Sequence, residues 1–190
     1  MEKSDIVEIR WHGRGGQGAV TSAELLAKAA IIEGKFAQAF PAFGPERRGA
    51  PVVAYNRISP SRAIRIRAGI TEPHFVVVLD ATVLRVVNVT DGLRDGGTVV
   101  VNSSKPASEL KSGFKGNWRL ACIDAMKIAR ETLGVPIVNT TMLGALLKAS
   151  GVVKAESLIE PLQERFGRLA ERNINAMKRA LEETVVEELH

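Results

Sequence analysis

One stretch constrains the fold more than any other: Gly13-Arg14-Gly15-Gly16-Gln17-Gly18, set between a β-branched run and an amphipathic one. The run before it, Ile6-Val7-Glu8-Ile9-Arg10-Trp11, reads as a strand from its partial alternation. The run after it, Ala19 to Glu33, repeats apolar residues at Ala19, Ala23, Leu26, Ala27, Ala30 and Ile31, one face of a helix that Gly34 stops. Gly13, Gly15 and Gly18 have the spacing G-x-G-x-x-G in the strand–turn–helix setting that gives the motif its meaning. Such glycines let the backbone turn tightly and approach an anion, while the first amides and the dipole of the helix favour negative charge. Arg14 adds a charged donor. The same glycines would also serve tight packing of strand on helix with no ligand. A dinucleotide site further needs an acid about twenty residues on, at the end of the second strand. That position falls near Gln38, and Lys35 to Phe40 holds no acid, which disfavours NAD and leaves NADP open.

The rest of the chain continues the α/β pattern. Two short strands, about Val52 to Ile58 and Ala63 to Arg67, read as an antiparallel hairpin through Ser59-Pro60-Ser61-Arg62. Phe75 to Asp80, Gly96 to Ser103 and Trp118 to Ile123 are apolar runs of the kind buried on both faces of a parallel sheet. Helices are expected over Thr82 to Val89 and from an Asp124 cap to Gly134. From Val138 the chain reads as helix, over Thr140 to Ser150, Ala155 to Phe166 and Leu169 to Glu188, without a strand signal. With no repeat and no long linker, residues 1–190 are expected to form a single three-layer, Rossmann-like α/β domain. Its sheet is mixed but mainly parallel, and its C-terminal third is helical.

Composition narrows the function. The lone Cys122 excludes a disulfide framework, a four-cysteine zinc site and a self-contained iron–sulfur cluster. The polar amino terminus and the lack of any long apolar run point to a cytoplasmic chain with no membrane span. The net charge of +5 resides wholly in Glu46 to Ala68, where six arginines face one acid. Arginines without lysine suit bidentate binding of phosphate or carboxylate, or an acidic partner surface; a solvated basic face is the plainer alternative. Nucleic acid is the weaker reading, since aromatic residues make up only 5% and no known module interleaves them with the arginines.

Few groups offer catalysis, and none is assigned a catalytic role. The three histidines have no metal-ligand spacing. His12 abuts the glycine turn, where it either contacts a ligand or, as such residues more often do, packs and hydrogen-bonds. Cys122 lies in an apolar strand without a base and reads as inert. Asp80 ends a parallel strand, equally suited to a ligand crevice or to capping the next helix. Asn139 and Thr140 open a helix, where capping is the default and a ligand contact the alternative.

Three segments carry a specific resemblance: Gly13 to Gly18, Phe40-Pro41-Ala42-Phe43-Gly44-Pro45-Glu46-Arg47-Arg48-Gly49-Ala50-Pro51, and Asn139-Thr140-Thr141-Met142-Leu143-Gly144. Together with Arg172-Asn173-Ile174-Asn175-Ala176, they resemble the gamma subunit of pyruvate:ferredoxin oxidoreductase and related 2-oxoacid:ferredoxin oxidoreductases over nearly the whole chain. The resemblance implies one part of an enzyme that oxidatively decarboxylates a 2-oxoacid to an acyl-coenzyme A and CO2 while reducing ferredoxin, or runs in reverse as a synthase. It implies companion subunits of alpha, beta and delta type, with thiamine diphosphate, magnesium and iron–sulfur clusters in the complex and none held by this chain alone. The implied anion site, for coenzyme A, comprises Gly13, Arg14, Gly15, Gly16, Gln17, Gly18, Glu46, Arg47, Arg48, Asn139 and Thr140. Gly44 to Pro51 looks more like the pyruvate and branched-chain types than the 2-oxoglutarate type. The alternative is an independent nucleotide-binding enzyme or regulator that uses the same glycine turn.

Overall fold

Alternation along the first strand decides how the molecule is layered. In the computed structural model, which describes residues 5–42 and 49–189, strand β1 (Val7–Arg14) turns Ile9 and Trp11, both fully buried, toward the main core. Its other face carries Glu8, Arg10 and His12. Trp11 brings a ring N–H into that core, and the cost is met by Asn56 Oδ1 at 2.8 Å, whose own amide donates to the Ala23 carbonyl. Helix α1 (Ala19–Ile32) lies over this face and ends before Gly34, which is left-handed at φ 75°.

Strand β2 (Phe36–Pro41) pairs antiparallel with β3 (Pro51–Ser59), and β3 pairs antiparallel with β1 on its other side. Strands β4 (Phe75–Val78), β5 (Thr98–Asn102) and β6 (Arg119–Ile123) follow in parallel from β1, and β7 (Val185–Glu188) adds antiparallel to β6. Among the described residues one seven-stranded sheet results, in the order β2-β3-β1-β4-β5-β6-β7. Five strands share a direction, while β3 and β7 oppose it.

The valines of β4 and β5 are buried on both faces, which explains their unbroken apolar runs. One face is covered by α1, α3 (Ala125–Leu133), α4 (Asn139–Ser150), α5 (Ile159–Phe166) and α6 (Ala170–Glu183). The opposite face has a thin cover: a 3-10 turn (Ala81–Arg85), the one-turn α2 (Ala107–Leu110) and loop residues such as Leu93, Phe114 and Trp118. The expected mixed three-layer α/β fold with a helical C-terminal third is therefore present. Asp124 caps α3 by accepting from the Lys127 amide at 2.9 Å, and left-handed Gly134 closes it. Helices α4 and α6 meet so closely at Gly144 that a Cβ there would lie 2.0 Å from the Met177 carbonyl oxygen.

Several expected elements are corrected. Residues 63–67 form no strand: β3 already has β1 and β2 as neighbours, and the carbonyls of Ile66 and Ala68 accept from the Arg57 guanidinium instead. The helix expected over Thr82 to Val89 stops at Arg85. Its β-branched Val86 and Val87 favour helix weakly, and Arg10 Nη2 takes the Val89 and Asp91 carbonyls at 2.8 and 2.6 Å. The last helix ends at Glu183 rather than Glu188. Thr184 turns extended, its hydroxyl bonded back to the Ala180 carbonyl, and the β-branched Val185 and Val186 enter the sheet. Strand β1 also runs through Gly13 to Arg14, so the turn proper begins at Gly15.

Candidate functional site

The glycine turn sits at the carboxyl edge of the parallel strands, where open α/β sheets place their ligands. Gln17 folds it: its amide donates to the Arg14 carbonyl at 3.0 Å, while its side-chain oxygen accepts from the Arg14 amide at 2.7 Å. Gly16 is exposed at φ 92°, and Gly18 enters α1 at φ 83°. Only glycine holds Gly18's place, because a Cβ would stand 2.8 Å from Asn139 Nδ2 and 3.0 Å from Asn139 Cβ. The Gly15 amide donates to the Ala50 carbonyl.

Arg14 and Gln17 converge on Asp80, at the end of the neighbouring β4. Gln17 Nε2 donates to Asp80 Oδ2 at 2.8 Å, and Arg14 Nε lies 3.6 Å from the same oxygen and 3.0 Å from Thr82 Oγ1. Arg14 Nη1 donates to the Gly49 carbonyl at 3.0 Å. Burial alone would raise the Asp80 pKa. Hydrogen bonds from Thr82 and Gln17, with the Arg14 charge, outweigh it and hold the carboxyl below its ordinary value. Asp80 also caps the 3-10 turn through the Thr82 amide, so its capping role is realised. The side chains of the turn are thus occupied with one another. Among the described residues the Gly16 amide makes no hydrogen bond and no side chain caps the amino end of α1, so these amides are the ones left for an anion.

Asn139 and Thr140 lie beneath the turn and are buried. The Asn139 carbonyl accepts from Ser22 Oγ at 3.2 Å, and Thr140 Oγ1 donates to Asn173 Oδ1 at 2.9 Å, which ties α1, α4 and α6 together. Val138, not Asn139, occupies the cap position of α4, while Asn139 Oδ1 bonds the adjacent Thr140 amide. Glu46, Arg47 and Arg48 lie outside the described residues. The residues that follow them, Gly49 and Ala50, are the ones bonded to Arg14 and Gly15. Of the other arginines in that window, Arg57 is buried against Glu8, Arg62 pairs with Asp5, and Arg65 and Arg67 are exposed.

Beyond Asp80 the same edge opens into a cleft of about 730 Å³ over the ends of β4, β5 and β6, lined among others by Arg85, Ser104, Lys105, Lys127 and Arg130. Asn102 shapes its floor, donating to the Leu79 carbonyl at 2.8 Å and accepting from the Ala125 amide at 3.0 Å. Sequence reasoning missed this cleft. Its one signal was the run of polar residues, Asn102-Ser103-Ser104-Lys105, after an apolar strand.

His12 is buried, and its Nε2 accepts from Arg10 Nε at 3.1 Å, so it packs and hydrogen-bonds as a neutral ring. Burial, helped by the Arg10 charge, pushes its pKa down from 6.5 to about 3. The unfolded chain therefore takes up a proton below pH 6.5 that the folded chain resists, and stability falls as pH drops. Linkage gives at most about 1.4 kcal/mol per pH unit, so about 1 to 2 kcal/mol between pH 6.5 and 5. Denaturant unfolding at both pH values should show this loss in the parent and less of it in His12→Gln. An identical pH dependence in both would contradict it. His74, shifted downward by burial and Arg94, contributes equally to the two proteins.

Cys122 is buried in β6, and burial pushes its thiol up to about 11, an inert setting. Among the described residues no group of three His, Cys, Asp or Glu side chains is placed to hold a metal ion, and no helix is long and apolar enough to cross a membrane.

Comparison with known proteins gives a consistent result. The family model described as pyruvate ferredoxin/flavodoxin oxidoreductase matches residues 8–183. The common gamma subunit of the pyruvate/ketoisovalerate oxidoreductases of Thermococcus litoralis is 53% identical over 186 residues, 97% of this chain and 100% of that one. Pyruvate synthase subunit PorC of Methanocaldococcus jannaschii is 50% identical over 94% of this chain and 97% of its own. Among solved structures, the pyruvate oxidoreductase subunit PORC of Thermotoga maritima superposes with a TM-score of 0.87 at 35% identity, over 97% of this chain and 100% of that one.

Proposed function

The chain belongs to the pyruvate ferredoxin/flavodoxin oxidoreductase family, as a gamma-type subunit, and from that membership we propose that it supplies the coenzyme A anion site of a 2-oxoacid:ferredoxin oxidoreductase complex. The observation that carries the proposal is the amino end of α1 behind the turn at Gly16, which no side chain caps among the described residues, at the carboxyl edge of the parallel strands. Coenzyme A, when bound, brings phosphates suited to such amides and a thiol that takes up the acyl group. This chain's part is to bind and orient. The Gly16 amide and the first turn of α1 meet the anion, Arg14 and Gln17 fix the turn through Asp80, and Gly18 on Asn139 with Thr140 on Asn173 hold it against the core. Gly13 and Gly15 keep the strand end close to the turn. Glu46, Arg47 and Arg48 are proposed, from the sequence, to complete the site from the segment just before Gly49.

The donor set does not fit an iron–sulfur cluster, since the one cysteine is buried with a raised pKa. Clusters, thiamine diphosphate and magnesium are accordingly proposed to reside on companion chains of alpha, beta and delta type, with ferredoxin as electron acceptor and the cytoplasm as setting. The matched relatives are subunits of oxidoreductases, so a free-standing nucleotide-binding enzyme or regulator is set aside. Residues 1–190 are taken to act as one gamma domain.

Gly16→Ala tests the anion site cleanly. Among the described residues a Cβ there meets nothing within 4 Å, so the substitution adds a methyl group to the turn at the cost of left-handed strain of about 1 kcal/mol. If an anion sits on these amides, the variant loses a charge-assisted bond of about 1.5 to 3 kcal/mol. The Michaelis constant for coenzyme A of the assembled complex should then rise about tenfold or more, with folding intact by circular dichroism. An unchanged constant in the folded variant assigns the glycines to packing alone.

A further inference from the structure

Residues 63–67 belong to no helix or strand, yet side chains of the sheet bond their backbone. Arg57, 2% exposed, spends its guanidinium on this segment: Nη1 donates to the Ile66 carbonyl at 3.3 Å, and Nη2 to those of Ala68 at 2.8 Å and Gly69 at 3.4 Å. Its Nε is anchored on Glu8 Oε1 at 2.8 Å. Gln38 Nε2 donates to the Ile64 carbonyl at 2.9 Å, and Arg10 Nη1 to that of Ile70 at 3.4 Å. Three side chains from the sheet therefore hold the inward-turned carbonyls on both sides of Arg65, Ile66 and Arg67. Those three side chains are exposed, Ile66 by 51%, and Arg65 and Arg67 have no ion-pair partner among the described residues.

Two guanidinium groups with no ion-pair partner among the described residues, flanking an exposed isoleucine on backbone already bonded to the sheet, form a surface that binds at low entropic cost. We propose that Arg65, Ile66 and Arg67 form a docking surface for an acidic patch with an apolar socket on a companion subunit; this rests on the subunit reading above. Charge selects the occupant. A second copy of this chain would bring the same basic segment and repel it. A membrane surface calls for a larger basic cluster, about four to eight residues. Single-stranded nucleic acid calls for stacking rings, and none stands beside these arginines on the segment.

The test is co-purification and equilibrium association of the chain with its companion subunits, for the parent and for R65E/R67E, R65A/R67A and I66S. The double reversal should weaken association about tenfold or more in low salt, with the difference shrinking at about 0.5 M salt. The alanine pair and I66S should show smaller losses in the same direction, and R65K/R67K should keep most of the parent's affinity. Melting temperatures should match the parent, since no side-chain bond among the described residues is lost; if the reversal fails to fold, R65A/R67A decides. A parent that joins no companion chain overturns the subunit reading. A parent that joins them while every variant does so within twofold overturns the docking surface alone, as does retention of nucleic acid that the reversal abolishes without changing subunit association.

Discussion

Gly144→Val is expected to destabilise the fold by about 3 kcal/mol or more, among the largest effects of any single substitution outside the site. The reason is geometric. Helices α4 and α6 cross with the Met177 carbonyl oxygen 2.0 Å from where a Gly144 Cβ would stand, and the Ala180 Cβ is 3.0 Å away. A backbone carbonyl has no rotamer to turn, so the helices must separate and open the core around Met142, Leu143 and Leu146, all fully buried. Gly113→Ala is the matched control, because a Cβ there meets nothing within 4 Å and φ is not positive. Denaturant midpoints of the two variants should differ by most of the predicted cost. A Gly144→Val protein within about 1 kcal/mol of the parent would show that the crossing yields.

Arg57→Met should cost about 3 to 5 kcal/mol, the range for removing one partner of a buried ion pair. It leaves Glu8 with only Arg94, at 3.4 Å and well exposed, and strips the Ile66, Ala68 and Gly69 carbonyls of their donor. Glu8→Gln combined with Arg57→Met should recover part of the loss, since no unpaired charge then remains inside. Amide exchange should accelerate around residues 64–70 in the single variant, where the backbone depends on this guanidinium. A cost below about 1 kcal/mol, with exchange unchanged, would refute the anchoring role.

That role also shows where the sequence was legible and where it was not. The glycine turn, its strand and its helix could be read because spacing and periodicity are local, and Asp124 and Gly134 announced the limits of α3 by their cap chemistry. Strands β4, β5 and β6 were visible as apolar runs for the same reason. The stretch at 63–67 misled because alternation of Ile64 and Ile66 with arginines looks like a strand, whereas its carbonyls accept from the side chains of Arg57 on β3 and Gln38 on β2. Likewise Val185–Glu188 continues a helical pattern, and only its neighbour β6 makes it a strand. At the site, the residue types were foreseen but not their bonding. That Arg14 and Gln17 would spend themselves on Asp80 depends on β4 lying beside β1. The cleft beyond it depends on three strand ends and could not be read from any one of them.

The closing strand β7 has a meaning for how the molecule is made. Strand β6 presents the edge Arg119-Leu120-Ala121-Cys122, and its partner comes only after four helices have been synthesised. During that interval an apolar strand carries an open row of amides and carbonyls, the template on which chains aggregate. When β7 docks, the Leu189 amide bonds the Trp118 carbonyl, Glu187 meets Lys111 at 3.0 Å, and Glu188 joins it in lining the new edge with charge. The last strand therefore works as a gatekeeper: it turns a sticky margin into one that repels a further strand, and a chain that stalls before residue 185 would leave that margin bare.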